Sequence, residues 1–150
     1  MSDIARRERL TVLGSTGSIG KNTLDVAARH PQRFEVFALS ASTQVDLLLA
    51  QCAQFRPRYA VMASPAHAAR LRERIAAEGL PTEVLAGPAA LCELSSHPEV
   101  DAVMAAIVGA AGLEPCLAAA RAGKKLLLAN NRRCSLSPSL MLPAHRIGDT

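Results

Sequence analysis

Residues 10–20 read Leu-Thr-Val-Leu-Gly-Ser-Thr-Gly-Ser-Ile-Gly, a short apolar run that breaks into three glycines spaced three apart. The run 10–13 is rich in residues that favour β-strands, and it stops at a glycine. The residues from Ile19 onward have the apolar spacing of a helix. The glycines are therefore expected in a turn between a strand and a helix.

Each glycine of this turn has a mechanical role in sites that bind dinucleotides. Gly14 permits a sharp turn, Gly17 lets backbone N–H groups approach a pyrophosphate, and Gly20 lets the helix pack closely on the strand. The helix N-terminus adds unpaired N–H groups and a partial positive charge. Further donors are the hydroxyls of Ser15, Thr16 and Ser18. We predict a phosphate-binding turn, although three glycines near a turn can also be purely structural.

Strand and helix patterns alternate through the rest of the chain. The predicted strands are 34–39, 58–62, 82–85, 101–108 and 124–129, and the predicted helices are 19–30, 45–52, 65–78, 88–96 and 111–122. The run 101–108 is continuously apolar, as is typical of a strand that is covered on both faces of a parallel sheet. The alternation predicts an α/β fold, a Rossmann-like doubly wound parallel sheet in a single domain.

Composition narrows the class of protein further. With 49% hydrophobic and 20% charged residues, the 150-residue chain is typical of one globular domain. The net charge is +4, but the 17 basic residues are scattered without interleaved aromatics, so we expect no nucleic-acid partner. The longest apolar run, 102–113, is too short for a membrane span, and the four cysteines are far apart without metal-ligand spacing. We expect reduced cysteines, no membrane association and a cytoplasmic protein.

The loop after the second predicted strand bears on which dinucleotide is bound. An acidic residue at this position binds the ribose 2′-hydroxyl of NAD and repels a 2′-phosphate. Here the loop contains Ser42, Thr43 and Gln44, with no acid before Asp46. This favours NADP. The same residues can also form an ordinary polar loop, with Ser42 or Thr43 as the N-cap of the helix that starts near Val45.

With these segments placed, the chain resembles the N-terminal domain of the 1-deoxy-D-xylulose 5-phosphate reductoisomerases. The resemblance covers about residues 9–130 and rests on motifs in the same order and spacing. These are Leu-Gly-Ser-Thr-Gly-Ser-Ile-Gly at 13–20, Thr-Leu-Asp-Val at 23–26, Pro-Arg-Tyr-Ala-Val-Met at 57–62, Val-Met-Ala-Ala-Ile-Val-Gly-Ala-Ala-Gly-Leu at 103–113 and Leu-Leu-Ala-Asn at 127–130.

The resemblance implies an NADPH-binding domain, residues 1–130, which in the family precedes a catalytic and a C-terminal helical domain. It implies a homodimer, a Mg²⁺ or Mn²⁺ ion and the substrate 1-deoxy-D-xylulose 5-phosphate. The family isomerises this substrate and reduces it with NADPH to 2-C-methyl-D-erythritol 4-phosphate, in the non-mevalonate route to isoprenoids. The implied cofactor residues are Ser15, Thr16, Gly17, Ser18 and Ile19 for the pyrophosphate, Ser42, Thr43 and Gln44 for the 2′-phosphate, and Ala105, Ala106, Ile107, Val108 and Asn130 for the adenosine and nicotinamide. Gly14 belongs to the same cofactor site as the glycine of the sharp turn.

The chain departs from the family pattern in two places. The family has Gly-Lys-Asn or a similar basic triplet where this chain has Ser42-Thr43-Gln44. After Asn130 the family continues Lys-Glu, whereas this chain continues Asn-Arg-Arg-Cys-Ser. We interpret residues 131–150 as a divergent, poorly ordered tail of a truncated chain that carries no catalytic or metal-ligating residue. We expect cofactor binding without turnover.

Two other classes of protein stay open. One is a different oxidoreductase with the same glycine turn, such as an N-acyl-phosphate or semialdehyde dehydrogenase, which needs a nucleophilic cysteine. None of the cysteines has a recognisable partner histidine in the sequence. The other is a non-catalytic nucleotide- or CoA-binding Rossmann module, for which the helix N-terminus is sufficient.

Overall fold

Strands and helices alternate along the chain in the computed structural model, which describes residues 7–106, 113–128 and 141–143. The strands are β1 (Glu8–Leu13), β2 (Phe34–Ala41), β3 (Tyr59–Met62), β4 (Glu83–Ala86), β5 (Ala102–Ala105), β6 (Lys125–Leu128) and β7 (Met141–Pro143). The helices are α1 (Ser18–Arg29), α2 (Val45–Phe55), α3 (Pro65–Ala77), α4 (Pro88–Ser95) and α5 (Leu113–Arg121). The predicted alternation is confirmed in the described residues.

The described strands form one sheet in the order β4-β3-β2-β1-β5-β6-β7. All pairs from β4 to β6 are parallel. The chain moves outward in one direction from β1 to β4 and then returns to the other side of β1 with β5. The sheet is thus doubly wound, as predicted, and its direction of winding reverses between β1 and β5. In open parallel sheets, ligands bind at the carboxyl ends of the strands at such a reversal.

The core consists of two apolar layers on opposite faces of the sheet. On one face, α1, α2 and α3 pack against β1 and β2 around Val12 and Leu48. On the other face, α4 and α5 pack against the neighbouring residue of β1, Leu13, and against Val103 of β5. Successive side chains of a strand point to opposite faces, so β1 contributes to both layers. This central position fixes the carboxyl end of β1, where the glycine turn begins.

The strand β7 differs from the predicted architecture. It lies inside the tail 131–150 and pairs antiparallel with β6, with Leu142 opposite Leu126 and Met141 opposite Leu127. Three residues are too few to show a strand period, so this pairing depends on the edge of β6 and not on a local pattern. The rest of the predicted tail, 131–140 and 144–150, lies outside the described residues.

The start of α2 also differs from the expectation. Its N-cap is Gln44 and not Ser42 or Thr43, and the Gln44 side chain makes no capping hydrogen bond in the described structure. The N–H of Val45 instead donates to the carbonyl oxygen of Thr43 at 2.9 Å. The hydroxyls of Ser42 and Thr43 are therefore not used as the predicted helix cap.

Among the helices of the described residues, none is both long enough and apolar enough to cross a lipid bilayer.

Candidate cofactor site

The turn that follows β1 depends on its first glycine for its shape. Gly14 has φ of 77°, in the left-handed region that a residue with a side chain rarely adopts. Gly17 is the N-cap of α1 with φ of −79° and ψ of 174°, an extended conformation that any residue can adopt. Gly17 has no side chain that could cap the helix. Its carbonyl oxygen accepts the first backbone hydrogen bond of α1, from the N–H of Lys21 at 2.8 Å. The N–H groups of residues 18–20 point out of the helix end, where an anion can accept hydrogen bonds from them.

Gly20 is required by close packing of α1 on this turn. A Cβ atom at this position would lie 2.5 Å from the Cα of Ser15 and would also overlap the carbonyl oxygen of Gly14. The predicted close approach of the helix is therefore present, and it is made to the turn itself.

Gly17 is different, because nothing in the described protein fills the space beside it. The nearest atom to a Cβ at Gly17 would be the carbonyl oxygen of Gly14, 3.7 Å away, which is an ordinary van der Waals contact. Neither backbone conformation nor internal packing explains a glycine here. The space beside Gly17 leaves room for the role predicted from the sequence, which is close approach of a ligand to the backbone.

Ser15 has a different place from the one expected. Its side chain is completely buried, so its hydroxyl is not presented to a ligand. The hydroxyl donates to Oε1 of Gln51 at 2.7 Å and lies 3.2 Å from the carbonyl oxygen of Ser40. The backbone N–H of Ser15 also donates to the Ser40 carbonyl oxygen, at 2.8 Å. Ser15 therefore holds the turn in place, and the expectation of a hydroxyl contact with the pyrophosphate is corrected.

A cavity of about 280 Å³ lies at the carboxyl ends of the strands, in front of the turn. It brings together five predicted site residues, Gly14, Thr16, Gly17, Ser42 and Ala106. The other residues that line it are Ser40, Ala41, Val61, Met62, Ala63 and Leu91. These six residues were not predicted as part of the site, although the end of β3 meets the ends of β1 and β2 on the same side of the sheet.

The predicted 2′-phosphate loop is exposed next to this cavity. Ser42, Thr43 and Gln44 are all solvent-accessible. The first acid after the loop, Asp46, is paired with Arg74, whose Nη1 atom is 3.0 Å from Oδ1 of Asp46. The carboxylate thus has a basic partner, and the three exposed loop residues after β2 are uncharged.

Of the remaining predicted site residues, some lie within the described part of the chain and others do not. Ser18 is exposed, whereas Ile19, Ala105 and Ala106 are half-buried. The N–H of Ala106 donates to the carbonyl oxygen of Leu13 at 3.0 Å, which holds the end of β5 beside the start of the turn. Ile107, Val108 and Asn130 lie outside the described residues.

The described residues contain no group of three or more His, Cys, Asp or Glu side chains that could hold a metal ion. This part of the chain therefore offers no site that fits the divalent cation implied by the family resemblance.

The described thiols are also poorly suited to nucleophilic chemistry. Burial raises the pKa of Cys52 to about 12, and desolvation raises the pKa of Cys116.

Three features define a dinucleotide-binding domain of the Rossmann type. They are a doubly wound parallel sheet, a glycine turn where the winding of the sheet reverses, and a helix N-terminus behind that turn without a side-chain cap. The family model of 1-deoxy-D-xylulose 5-phosphate reductoisomerase matches residues 10–133. The chain belongs to this family.

Similar proteins agree with this assignment. The 1-deoxy-D-xylulose 5-phosphate reductoisomerase of Aromatoleum aromaticum is 60% identical over 139 residues, which are 93% of this chain and 34% of the relative. A Pseudomonas putida relative is 56% identical over 144 residues, 96% of this chain and 36% of its own. The chain thus spans about a third of the length of these curated relatives.

Solved structures of the family have the same fold. One, of DOX-P reductoisomerase in complex with NADPH, fosmidomycin and magnesium, has a TM-score of 0.79 and 46% identity over 82% of this chain and 30% of that chain. Another, the enzyme of Zymomonas mobilis in complex with NADPH, has a TM-score of 0.78 and 41% identity over 85% of this chain and 33% of that chain. The region shared with these structures includes most of this chain.

The different surroundings of Gly17 and Gly20 predict different costs for the same substitution. Gly20→Ala should lower the free energy of unfolding by about 2–3 kcal/mol, because the methyl group overlaps backbone atoms that cannot move aside easily. Gly17→Ala should lower it by at most about 1 kcal/mol, the preference of an N-cap for glycine over alanine. Urea unfolding followed by circular dichroism measures both. A Gly20→Ala chain as stable as the parent would contradict the close packing of α1.

Proposed function

We propose that this chain is the NADPH-binding portion of a 1-deoxy-D-xylulose 5-phosphate reductoisomerase. The observation that carries the proposal is the open backbone at Gly17, at the N-terminus of α1 and at the edge of the cavity. This is where a pyrophosphate needs N–H donors without a side chain in the way. Two similar structures of the family are complexes with NADPH, which supports the same cofactor here.

In this proposal, different residues of the turn and the cavity contact different parts of the cofactor. The pyrophosphate accepts hydrogen bonds from the N–H groups at the start of α1 and from the hydroxyls of Thr16 and Ser18. The rings lie along the end of β5, where Ala105 and Ala106 leave space, and the family resemblance adds contacts from Ile107, Val108 and Asn130, which are outside the described residues. Ser15 contributes by fixing the position of the turn.

The preference for NADPH over NADH rests on the loop after β2. Ser42, Thr43 and Gln44 offer hydroxyls and an amide to a 2′-phosphate, and Asp46 is paired with Arg74 on the surface. A carboxylate that would bind the free 2′-hydroxyl and repel a phosphate is absent from this described loop. The loop also lacks the basic side chain that the family usually has, so its affinity for the phosphate depends on neutral donors.

The alternatives have less support. A non-catalytic nucleotide- or CoA-binding module would use the same helix end, but the family membership does not favour it. A dehydrogenase with a nucleophilic cysteine needs a thiolate, which the raised pKa of Cys52 and Cys116 disfavours at neutral pH.

The activity of the whole enzyme would draw on parts that this chain does not share. The whole enzyme would isomerise and reduce 1-deoxy-D-xylulose 5-phosphate, and bound NADPH would supply the hydride. The chain spans about a third of its relatives, and we propose that it binds cofactor without turnover. The homodimer and the division into a domain of residues 1–130 and a divergent tail of residues 131–150 are likewise proposals from the family resemblance. The cytoplasmic location is a proposal from the sequence composition.

Bulk at Gly17 should block the cofactor while leaving the protein folded. We expect Gly17→Val to weaken NADPH binding at least about tenfold, because the side chain takes the space between backbone and pyrophosphate. Ala28→Val adds the same kind of bulk to an exposed position of α1 remote from the turn, and it should bind like the parent. Fluorescence titration with NADPH measures the dissociation constants of the parent and of both variants. Parent-like affinity of the Gly17→Val chain would place the site elsewhere.

A carboxylate in the loop after β2 should change the cofactor preference. Ser42→Asp is expected to weaken NADPH binding about tenfold relative to NADH, because the new charge repels the 2′-phosphate and can accept hydrogen bonds from the free ribose. Ser42→Asn has nearly the same shape without the charge and serves as its control. The measurement is the ratio of the two dissociation constants by calorimetry. An equal ratio in the two variants would remove Ser42 from the 2′-phosphate site.

The proposed division between binding and turnover has a direct test. The 150-residue chain should not oxidise NADPH in the presence of 1-deoxy-D-xylulose 5-phosphate and Mn²⁺, although it binds NADPH. The reaction needs the substrate oxygens to be held and polarised by a metal and the substrate phosphate to be anchored. A full-length relative in the same assay is the positive control. Turnover that depends on Mn²⁺ would show that the chain itself holds the catalytic groups.

A further inference from the structure

The position of the glycine turn depends on a side chain from a helix that is remote from it in sequence. Gln51 lies in the middle of α2 and its side chain reaches the turn across the carboxyl end of β2. Its Oε1 atom accepts a hydrogen bond of 2.7 Å from the Ser15 hydroxyl, and its Nε2 atom donates one of 2.9 Å to the Ser15 carbonyl oxygen. One amide thus holds both the side chain and the backbone of the same residue.

The orientation of this amide is fixed by its partners. A carbonyl oxygen can only accept a hydrogen bond, so the NH₂ group of Gln51 must face the Ser15 carbonyl. The Gln51 carbonyl then faces the Ser15 hydroxyl, which donates to it. Because the Gln51 amide both donates a hydrogen bond to Ser15 and accepts one from it, the two bonds fix the position of Ser15 relative to α2.

Ser15 is held on its other sides as well. Its N–H donates to the Ser40 carbonyl oxygen at 2.8 Å, and the neighbouring N–H of Gly14 donates to the Ser40 hydroxyl at 2.9 Å. The first turn of α1 presses on Ser15 at Gly20. Gln51 supplies the bonds from α2, and its removal would leave the buried Ser15 hydroxyl without its shorter hydrogen bond.

We propose that Gln51 is a positioning residue for the cofactor, which acts by clamping Ser15 and thereby setting the N–H groups at the start of α1. This rests on the proposed function, because the ligand is the dinucleotide assigned to the turn. Gln51 does not line the cavity. Its effect reaches the pyrophosphate through Ser15 and the glycine turn that contains it.

The test uses a substitution that can be switched by pH. Gln51→Glu keeps the shape of the side chain. When its carboxyl is ionised, it has no donor for the Ser15 carbonyl and repels that oxygen. When protonated, it regains an O–H donor and restores both bonds. Half-burial and the facing carbonyl oxygen raise the pKa of the new carboxyl above the ordinary value of about 4.3.

We expect the Gln51→Glu chain to bind NADP⁺ about tenfold more weakly than the control at pH of about 8, and to recover most of this loss at pH of about 5. The control is Gln54→Glu, which adds the same charge to an exposed position of the same helix. Binding is measured by calorimetry on the 150-residue chain, at a temperature where circular dichroism shows both variants folded. Titration of the 2′-phosphate is common to both chains and cancels in their ratio.

A second variant separates positioning from a general loss of stability. Gln51→Met removes both hydrogen bonds with little change in volume, so its weakened binding should persist at both pH values, and it keeps the test valid if Gln51→Glu does not fold at the higher pH. Recovery by Gln51→Glu at low pH without recovery by Gln51→Met supports the clamp. Equal binding by Gln51→Glu and Gln54→Glu at high pH, or parent-like binding by Gln51→Met, overturns it. A folded parent chain that binds no NADP⁺ would overturn the proposed function, and the clamp with it.

Discussion

The contact between α1 and the turn before it is the constraint on which the site depends. There is no room for a Cβ atom at Gly20, so the helix lies directly on the backbone of Gly14 and Ser15. This contact aims the end of α1 at the cavity. Because the first N–H groups of a helix have no partners within it, their direction decides where an anion can bind. The three glycines therefore have separate tasks, since Gly14 needs its left-handed backbone, Gly20 needs its small volume, and Gly17 leaves space that the described residues do not fill.

The sheet provides the second requirement, which is a fixed origin for the turn. β1 lies between β2 and β5 and contributes to the apolar layers on both faces, with Val12 in one and Leu13 in the other. A strand held in this way has little freedom at its end. The bonds of Ser40 to Gly14 and Ser15 extend this order past the last residue of β1. The cavity lies beside the turn at the carboxyl ends of the strands, where β2 and β5 flank β1 on opposite sides and Leu91 of α4 contributes to the wall.

Sequence reasoning predicted the parts of the fold that local pattern determines. Apolar runs such as 10–13, which ends at Gly14, identified the buried strands, and the helical pattern at 45–52 identified α2, whose buried residues are Val45, Leu48, Leu49 and Cys52. It did not predict what depends on distant partners. The burial of Ser15 depends on Gln51 and Ser40, which lie 36 and 25 positions further along the chain. The role of Leu91 in the cavity wall depends on how α4 packs, and β7 depends on a neighbouring strand.

The charge of the molecule shows why composition alone could not locate the site. The chain has a net charge of +4, yet the described residues that line the cavity include no lysine or arginine. Several basic side chains lie instead at the opposite edge of the sheet, near the amino ends of the strands. There Arg9 and Arg58 are paired with Glu99, and Arg7 is paired with Glu35. Paired surface charges of this kind contribute little to stability and are screened by salt. The anion site proposed at the turn instead uses backbone N–H groups and the helix dipole, which act at short range. A basic composition is therefore no guide to the place where this domain would hold a phosphate, whereas the arrangement of three glycines is.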